Sequence, residues 1–196
     1  THRGWKFNEN ERFLPQYLKE AGYETVLFGF QHEVPHGEGK VLGYNTTFEG
    51  VSDAVDVAGD IKYRPHVASA FKNWVSNDRD KDKSFFATIG LRLVHRPHNL
   101  GKHSAEAPQK VRVPNYLPDT LEVRKDLASY EGLIEEADAI VGEVLSIVEE
   151  AGLSEETVIL FTTDHGSDYP RAKSSLYDPG IGVALLMRVP GKPAEL

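Results

Sequence analysis

Cysteine is absent from the 196-residue chain, and methionine occurs once, at Met187. The first absence excludes disulfide bonds, although it does not locate the protein in a compartment. No apolar run approaches the ~18 residues that a membrane-spanning helix needs, and no secretory signal pattern opens the chain at Thr1. Positive charge is in deficit: 22 Lys and Arg against 30 Asp and Glu give a net charge of -8 at pH 7. That balance argues against nucleic acid as a partner, and an anionic substrate would have to be met by local rather than global charge. Internal repeats and a Pro/Gly linker are also lacking. With 40% hydrophobic and 27% charged residues, the chain can bury one α/β core, and a single domain over residues 1–196 is expected.

The most informative segment runs from Thr157 to Gly166, where the apolar stretch Val158-Ile159-Leu160-Phe161 ends on Asp164-His165-Gly166. Its length and residue types predict a fully buried strand that delivers a carboxylate and an imidazole to a sheet edge. Ligands in open α/β sheets bind beyond such carboxyl ends, and Gly166 permits a tight exit. Upstream, helical spacing of Leu127, Tyr130, Leu133, Ile134, Ile140, Val144, Leu145 and Val148 predicts a long helix from about Leu121 to Ala151, with Thr120 as N-cap and Gly152 ending it. Downstream, Arg171 and Lys173 lie in a loop before a second apolar run, Val183 to Val189.

Earlier in the chain, Arg12 to Gly29 predicts a short amphipathic helix with Pro15 in its first turn, stopped by Gly22, then a strand. Arg64 to Ser76 predicts a helix that buries Val67, Phe71 and Trp74. Phe85 to Ile89 reads as a buried strand. His95, Arg96, His98, Lys102 and His103 follow it as a basic cluster. The segments between Gln31 and Tyr63 and between Leu91 and Thr120 lack clear periodicity, and long loops of this kind are usually functional or mobile.

The ordered set of motifs resembles the sulfatase family of the alkaline-phosphatase-like superfamily. Asp138-Ala139-Ile140-Val141-Gly142 matches its "D-x-x-V-G", and Thr157 to Gly166 matches "T-x-[VI]-x-[FV]-[TS]-[ST]-D-[HN]-G". Lys173, Leu176-Tyr177 and Pro190-Gly191 match the close of that block. Phe85-Phe86-Ala87-Thr88-Ile89-Gly90 with His95-Arg96-Pro97-His98 is similar to "F-F-L-x-[VI]-x-[FY]-H-x-P-H". The helix and strand from Arg12 to Gly29 resemble the block that ends "G-K-x-H", with His32 at the histidine position and Phe30 where most members carry lysine. Val113 to Thr120 and Arg124 to Ala128 look most like the heparan N-sulfatase (sulfamidase) branch.

The resemblance implies an α/β, alkaline-phosphatase-like sandwich with a mostly parallel central sheet and helices on both faces. Phe85–Ile89, Val158–Phe161 and Val183–Val189 are expected in one sheet packed by the long helix. It implies hydrolysis of a small sulfated substrate, a sugar or aryl sulfate, with no membrane partner. His98, Lys173 and His32 take catalytic roles, and His95 and Arg171 bind substrate. Asp164 and His165 would ligate a divalent cation, calcium by family expectation, with magnesium or manganese open because one donor is an imidazole. Four of these, His98, Asp164, His165 and Lys173, are expected to converge on one pocket. The family's nucleophile is a formylglycine made from C-x-P-S-R, and neither that motif nor the family's paired aspartates occurs here. The chain is therefore read as a segment of a sulfatase catalytic domain whose first strands are absent. Phosphodiester or phosphonate hydrolysis within the same superfamily and a non-catalytic fragment stand as alternatives.

Overall fold

The computed structural model describes residues 7–8, 10–51, 66–98 and 107–193. Lys102 and His103, and the start of the helix expected from Arg64, lie outside the described residues. Two compact units result, one of residues 1–93 with 136–144, the other of residues 94–135 with 145–196.

The first unit is built on a parallel three-stranded sheet. Helix α1 (Leu14–Glu20) carries Pro15 in its first turn, where a missing N–H costs nothing. Gly22, at φ +91°, turns the chain into strand β1 (Glu24–Gly29). β1 lies between β2 (Thr46–Phe48) and β3 (Phe85–Gly90), parallel to both, with Val26 opposite Thr46 and Ala87. The central strand is the most buried, since Val26, Leu27 and Phe28 are at most 1% exposed. Helix α2 (Val67–Asn73) and the π-helical turn after it, Trp74–Asp78, pack aromatic rings around Phe28. Phe71 stands 5.6 Å and Trp74 5.8 Å from that ring, both edge-on, and Phe48 stacks on it at 4.9 Å. Full burial of such a side chain contributes about 1.5–3 kcal/mol. The expected core role of Val67, Phe71 and Trp74 matches their burial. β2 was not expected, because the stretch that holds it shows no periodicity over so few residues.

Helix α3 (Leu121–Glu150) runs nearly as predicted. The Thr120 side chain accepts a hydrogen bond from Val123 N–H at 3.3 Å, and Gly152 leaves the helix at φ +70°. In the second unit its first turns bury Leu127 and Ala128 against Val111, Leu117, Tyr169 and Ala172.

The single-sheet expectation fails. β4 (Ile159–Thr162) and β5 (Leu185–Arg188) form a separate two-stranded ribbon, antiparallel, with Leu160 opposite Met187 and Phe161 opposite Leu186. Between the two strands the chain makes no crossover of the kind that parallel strands require, only the short helical turn Asp178–Ile181. It folds back instead, and Thr163 N–H donates to the Ala184 carbonyl. Nor is the run buried as predicted, since Leu160 is 59% and Met187 66% exposed. The predicted class survives in the parallel sheet and its helices.

Candidate active site

The second unit holds most of the sequence-predicted functional residues. Segment 94–98 approaches them through an unusual backbone: Val94 has φ +70°, and the Arg96-Pro97 peptide is cis. A β-branched residue in the left-handed region is disfavoured by roughly 1–2 kcal/mol. Only two other described residues besides glycine share that region, Arg171 and Ser174, both at φ +64°. They bracket Lys173. Non-glycine residues at positive φ cluster at functional sites, where the surroundings hold them in place.

Arg96 is the hub of the cluster. Its Nη1 and Nη2 donate to Asp126 Oδ1 and Oδ2 at 3.2 and 2.8 Å, its Nε donates to the Asp168 carbonyl at 2.9 Å, and its guanidinium lies 5.0 Å from the Tyr169 ring centroid. The paired fork is the strong geometry for guanidinium and carboxylate. The Asp126 hydrogen bond raises the Arg96 pKa. Burial works against ionisation of Asp126, yet Arg96 first, then Tyr169 and His98, outweigh it and hold the carboxyl below the ordinary range. The positive charge expected of Arg96 is thus committed to Asp126.

His98 is 3% exposed. Its ring sits 5.0 Å from Tyr130 and 5.7 Å from Tyr169, which meet each other edge-on. Asp126 and Tyr130 reach it together because residues four apart share one side of a helix. Nδ1 is 3.3 Å from Asp126 Oδ1, close enough for attraction but outside hydrogen-bond geometry. Among the described residues neither ring nitrogen has a partner in hydrogen-bond geometry, and neither does the buried Tyr169 hydroxyl, although it lies beside Asp126. Orphaned buried polar atoms are rare and costly, about 1–3 kcal/mol each; with Asp126 beside Nδ1 and the Tyr169 hydroxyl, Nε2 is the atom that points to a ligand. Burial, and then the Arg96 charge, lower the His98 pKa, and Asp126 offsets part of this. Burial first, then Asp126, raises that of Tyr169.

The loop carrying Tyr169 and Lys173 is tied to itself. Tyr169 and Lys173 N–H both donate to the Ser167 carbonyl, and Gly166 N–H donates to the Gly180 carbonyl. A Cβ at Gly166 would stand 1.7 Å from the Pro179 carbonyl oxygen, so only glycine fits there. Lys173 Nζ lies 3.9 Å from Asp168 Oδ2. The contacts therefore link His98, Asp126, Arg96, Asp168 and Lys173 in sequence.

The other predicted residues are placed differently. His165 Nε2 is 3.4 Å from Asp164 Oδ2, its Nδ1 is 2.6 Å from the Gly166 carbonyl, and the Asp164 side chain is 80% exposed. Those two side chains join the cluster only through the loop backbone. Among the described residues, no group of three or more His, Cys, Asp or Glu is arranged to hold a metal ion. Two donors fall well short of the six to eight that calcium takes. The Arg171 guanidinium lies over the exposed Tyr177 ring at 5.2 Å, and His95 Nδ1 is 2.7 Å from the Arg96 carbonyl. His32 belongs to the first unit, where it is exposed beside Phe30, ring centroids 5.1 Å apart. Its loop is organised by buried Glu49, which accepts from Gln31 Nε2 at 2.9 Å and from the N–H groups of Gly37 and Gly39 at 3.0 and 2.8 Å.

Asp126, Tyr130, Asp168 and Tyr169 were not singled out as site residues from sequence. A signal existed in Asp126: a carboxylate next to Leu127 and one turn from Tyr130 sits on the stripe that a helix reserves for apolar side chains.

Comparison with known proteins supplies the lineage. The Sulfatase family pattern matches residues 1–195. An ulvan-active sulfatase of Formosa agariphila is 40% identical over 93% of this chain and 33% of its own length. Human N-sulphoglucosamine sulphohydrolase is 36% identical over 93% of this chain and 39% of its own. The chain thus spans a third to two fifths of these relatives' length. Among solved structures, a Bacteroides thetaiotaomicron protein from work on glycosaminoglycan metabolism superposes with a TM-score of 0.75 at 17% identity, covering 98% of this chain and 50% of that one. A Pseudoalteromonas sulfatase gives 0.54 at 16% identity, covering 93% and 46%. Motif order, parallel sheet and these matches agree, and the chain belongs to the sulfatase family.

Proposed function

We propose that these 196 residues form part of the catalytic domain of a hydrolase that cleaves sulfate esters or sulfamates of sugars, and that His98 and Lys173 hold the sulfo group. The observation that carries this reading is His98 itself: a nearly fully buried imidazole whose Nε2 has no partner among the described residues, linked by contacts to a lysine in a backbone-strained loop. Sulfo transfer spreads negative charge over the nonbridging and leaving oxygens, and donors fixed in a dry site stabilise such charge better than water does. Protonated His98 and Lys173 are donors of that kind. Sulfate is an acceptor only, so His98 must carry a proton on the nitrogen that faces it, and binding draws a proton onto the ring. His95 and Arg171 are proposed as outer contacts to the sugar, and His32 as a further catalytic group.

The nucleophile, by family resemblance a formylglycine, is proposed to come from sequence other than these residues, which contain no cysteine. Asp164 and His165 are proposed as the chain's share of a divalent cation's ligands, calcium foremost and magnesium or manganese otherwise, and two donors alone are too few to retain it. Sugar sulfates are favoured over phosphate because the similar curated relatives are named for ulvan and N-sulphoglucosamine.

Isothermal titration with inorganic sulfate and phosphate tests the reading. Sulfate should bind more tightly than phosphate, lose binding in His98→Gln, and weaken about tenfold, or 1.4 kcal/mol, in Lys173→Ala. Binding indifferent to His98 would overturn it. The chain alone should release no 4-nitrophenol from its sulfate ester, and release abolished by Asp164→Ala would mean that the chain carries a nucleophile of its own.

A further inference from the structure

His98 has two ring nitrogens, and a sulfo group can use only one well. Which nitrogen carries the proton is set by the partner of the other. Among the described residues the candidate partner for Nδ1 is the Asp126 carboxylate, 3.3 Å away. Asp126 is itself fixed. Arg96 grips both of its oxygens, and Arg96 is in turn pinned by the Asp168 carbonyl and the Tyr169 ring. An ionised carboxylate has about four lone-pair positions, so two hydrogen bonds from Arg96 leave room on Oδ1 for an imidazole N–H.

We propose that Asp126 is a positioning residue for His98: clamped by Arg96, its carboxylate keeps a proton on Nδ1 and leaves Nε2 as the nitrogen that meets the sulfo group. This rests on His98 being the sulfo-binding residue, but the assignment of the proton can be measured without any anion. Arg96 has a second effect. By neutralising Asp126 it prevents the carboxylate from making His98 a permanent imidazolium, so the ring stays able to take up a proton with the anion and release it afterwards. The groups that face the ring are Asp126 and Tyr130 from α3, Arg96 from its own segment, and Asp168 and Tyr169 from the loop that follows β4. Lys173 adds its charge one contact further out, beside Asp168.

The test is nitrogen-15 NMR of the histidine ring in the full chain near pH 8, without sulfate and then with it. The wild type should show the Nδ1–H form of neutral His98. In Asp126→Asn the amide can turn its NH2 toward Nδ1, so the proton should move to Nε2, whereas Asp126→Glu should keep it on Nδ1. Added inorganic sulfate should bind the wild type with uptake of close to one proton, read from titration heats in buffers of different ionisation enthalpy, and bind Asp126→Asn at least tenfold more weakly. If Asp126→Asn fails to fold, the wild-type ring and Asp126→Glu still decide the matter. An Nε2–H ring in the wild type, or an unchanged Nδ1–H ring in folded Asp126→Asn, would overturn the proposal and leave Asp126 a purely structural anchor. The correct ring form with no sulfate binding would refute the sulfo-binding reading instead.

Discussion

Two apolar strands of similar composition meet opposite fates in this chain. Val26-Leu27-Phe28 in β1 is nearly inaccessible, with strands on both edges and the rings of α2 over it, whereas among the described residues Leu160-Phe161 in β4 pairs with β5 alone and stays exposed. The difference is one of neighbours rather than of residues. A strand flanked on both sides and covered by a helix buries whatever it carries, while a two-stranded ribbon has no third partner and leaves its faces open. An apolar run reports the capacity to be buried, and the surrounding chain decides whether that capacity is used.

Substitutions at the two strands should separate them most strongly. Phe28→Ala, at the centre of the aromatic cluster, is expected to cost about 3–5 kcal/mol by urea denaturation, while Leu186→Ala in the ribbon should change stability by no more than about 0.5 kcal/mol. Comparable losses at both positions would mean that the ribbon is packed in solution, and the contrast drawn between the strands would collapse.

Next in size is Asp126→Ala, which strips the fork from Arg96 in the second unit. Both groups are about one-third exposed, so solvent screening reduces the expected loss to about 1–2 kcal/mol. A cost near zero would show that Arg96 finds another partner and is not committed to Asp126.

Much of the first unit was legible in the sequence because local signals there agree with one another. Pro15 and Gly22 bound α1, three consecutive apolar residues form the centre of β1, and Val67, Phe71 and Trp74 recur at helical spacing, so each segment states its own structure. β2 was invisible because three residues cannot display a period. The ribbon was misjudged because strand pairing is a long-range choice: nothing in Val158 to Phe161 says that residues 185–188 return antiparallel. His98 and Lys173 were proposed as site residues from motif order alone. The groups around them were not, because Asp126 and Tyr169 act through tertiary contact, and only the charge on the apolar stripe of α3 hinted at the first.

A smaller effect concerns pH. Burial and Arg96 hold the His98 pKa below its ordinary value of 6.5, so the folded state binds fewer protons than the unfolded state just below that pH. Stability from this source is full above about pH 6.5 and declines as pH falls toward the depressed folded value. The melting temperature should therefore drop on acidification below pH 6.5 in the wild type and drop less in His98→Gln. Parallel curves for the two proteins would place the ring in water and contradict its burial. Asp126 adds a second decline below its ordinary value of 3.8, because its folded pKa is also lowered.

Whether the buried imidazole and Lys173 hold a sulfo group is tested most directly by a crystal of the chain soaked in selenate, an anomalous scatterer with the shape and charge of sulfate. An anomalous peak is expected with an oxygen within hydrogen-bond distance of His98 Nε2, Lys173 Nζ turned toward it, and loss of the peak in His98→Gln. Selenate bound elsewhere on the surface, with none at His98 in the wild type, would contradict it.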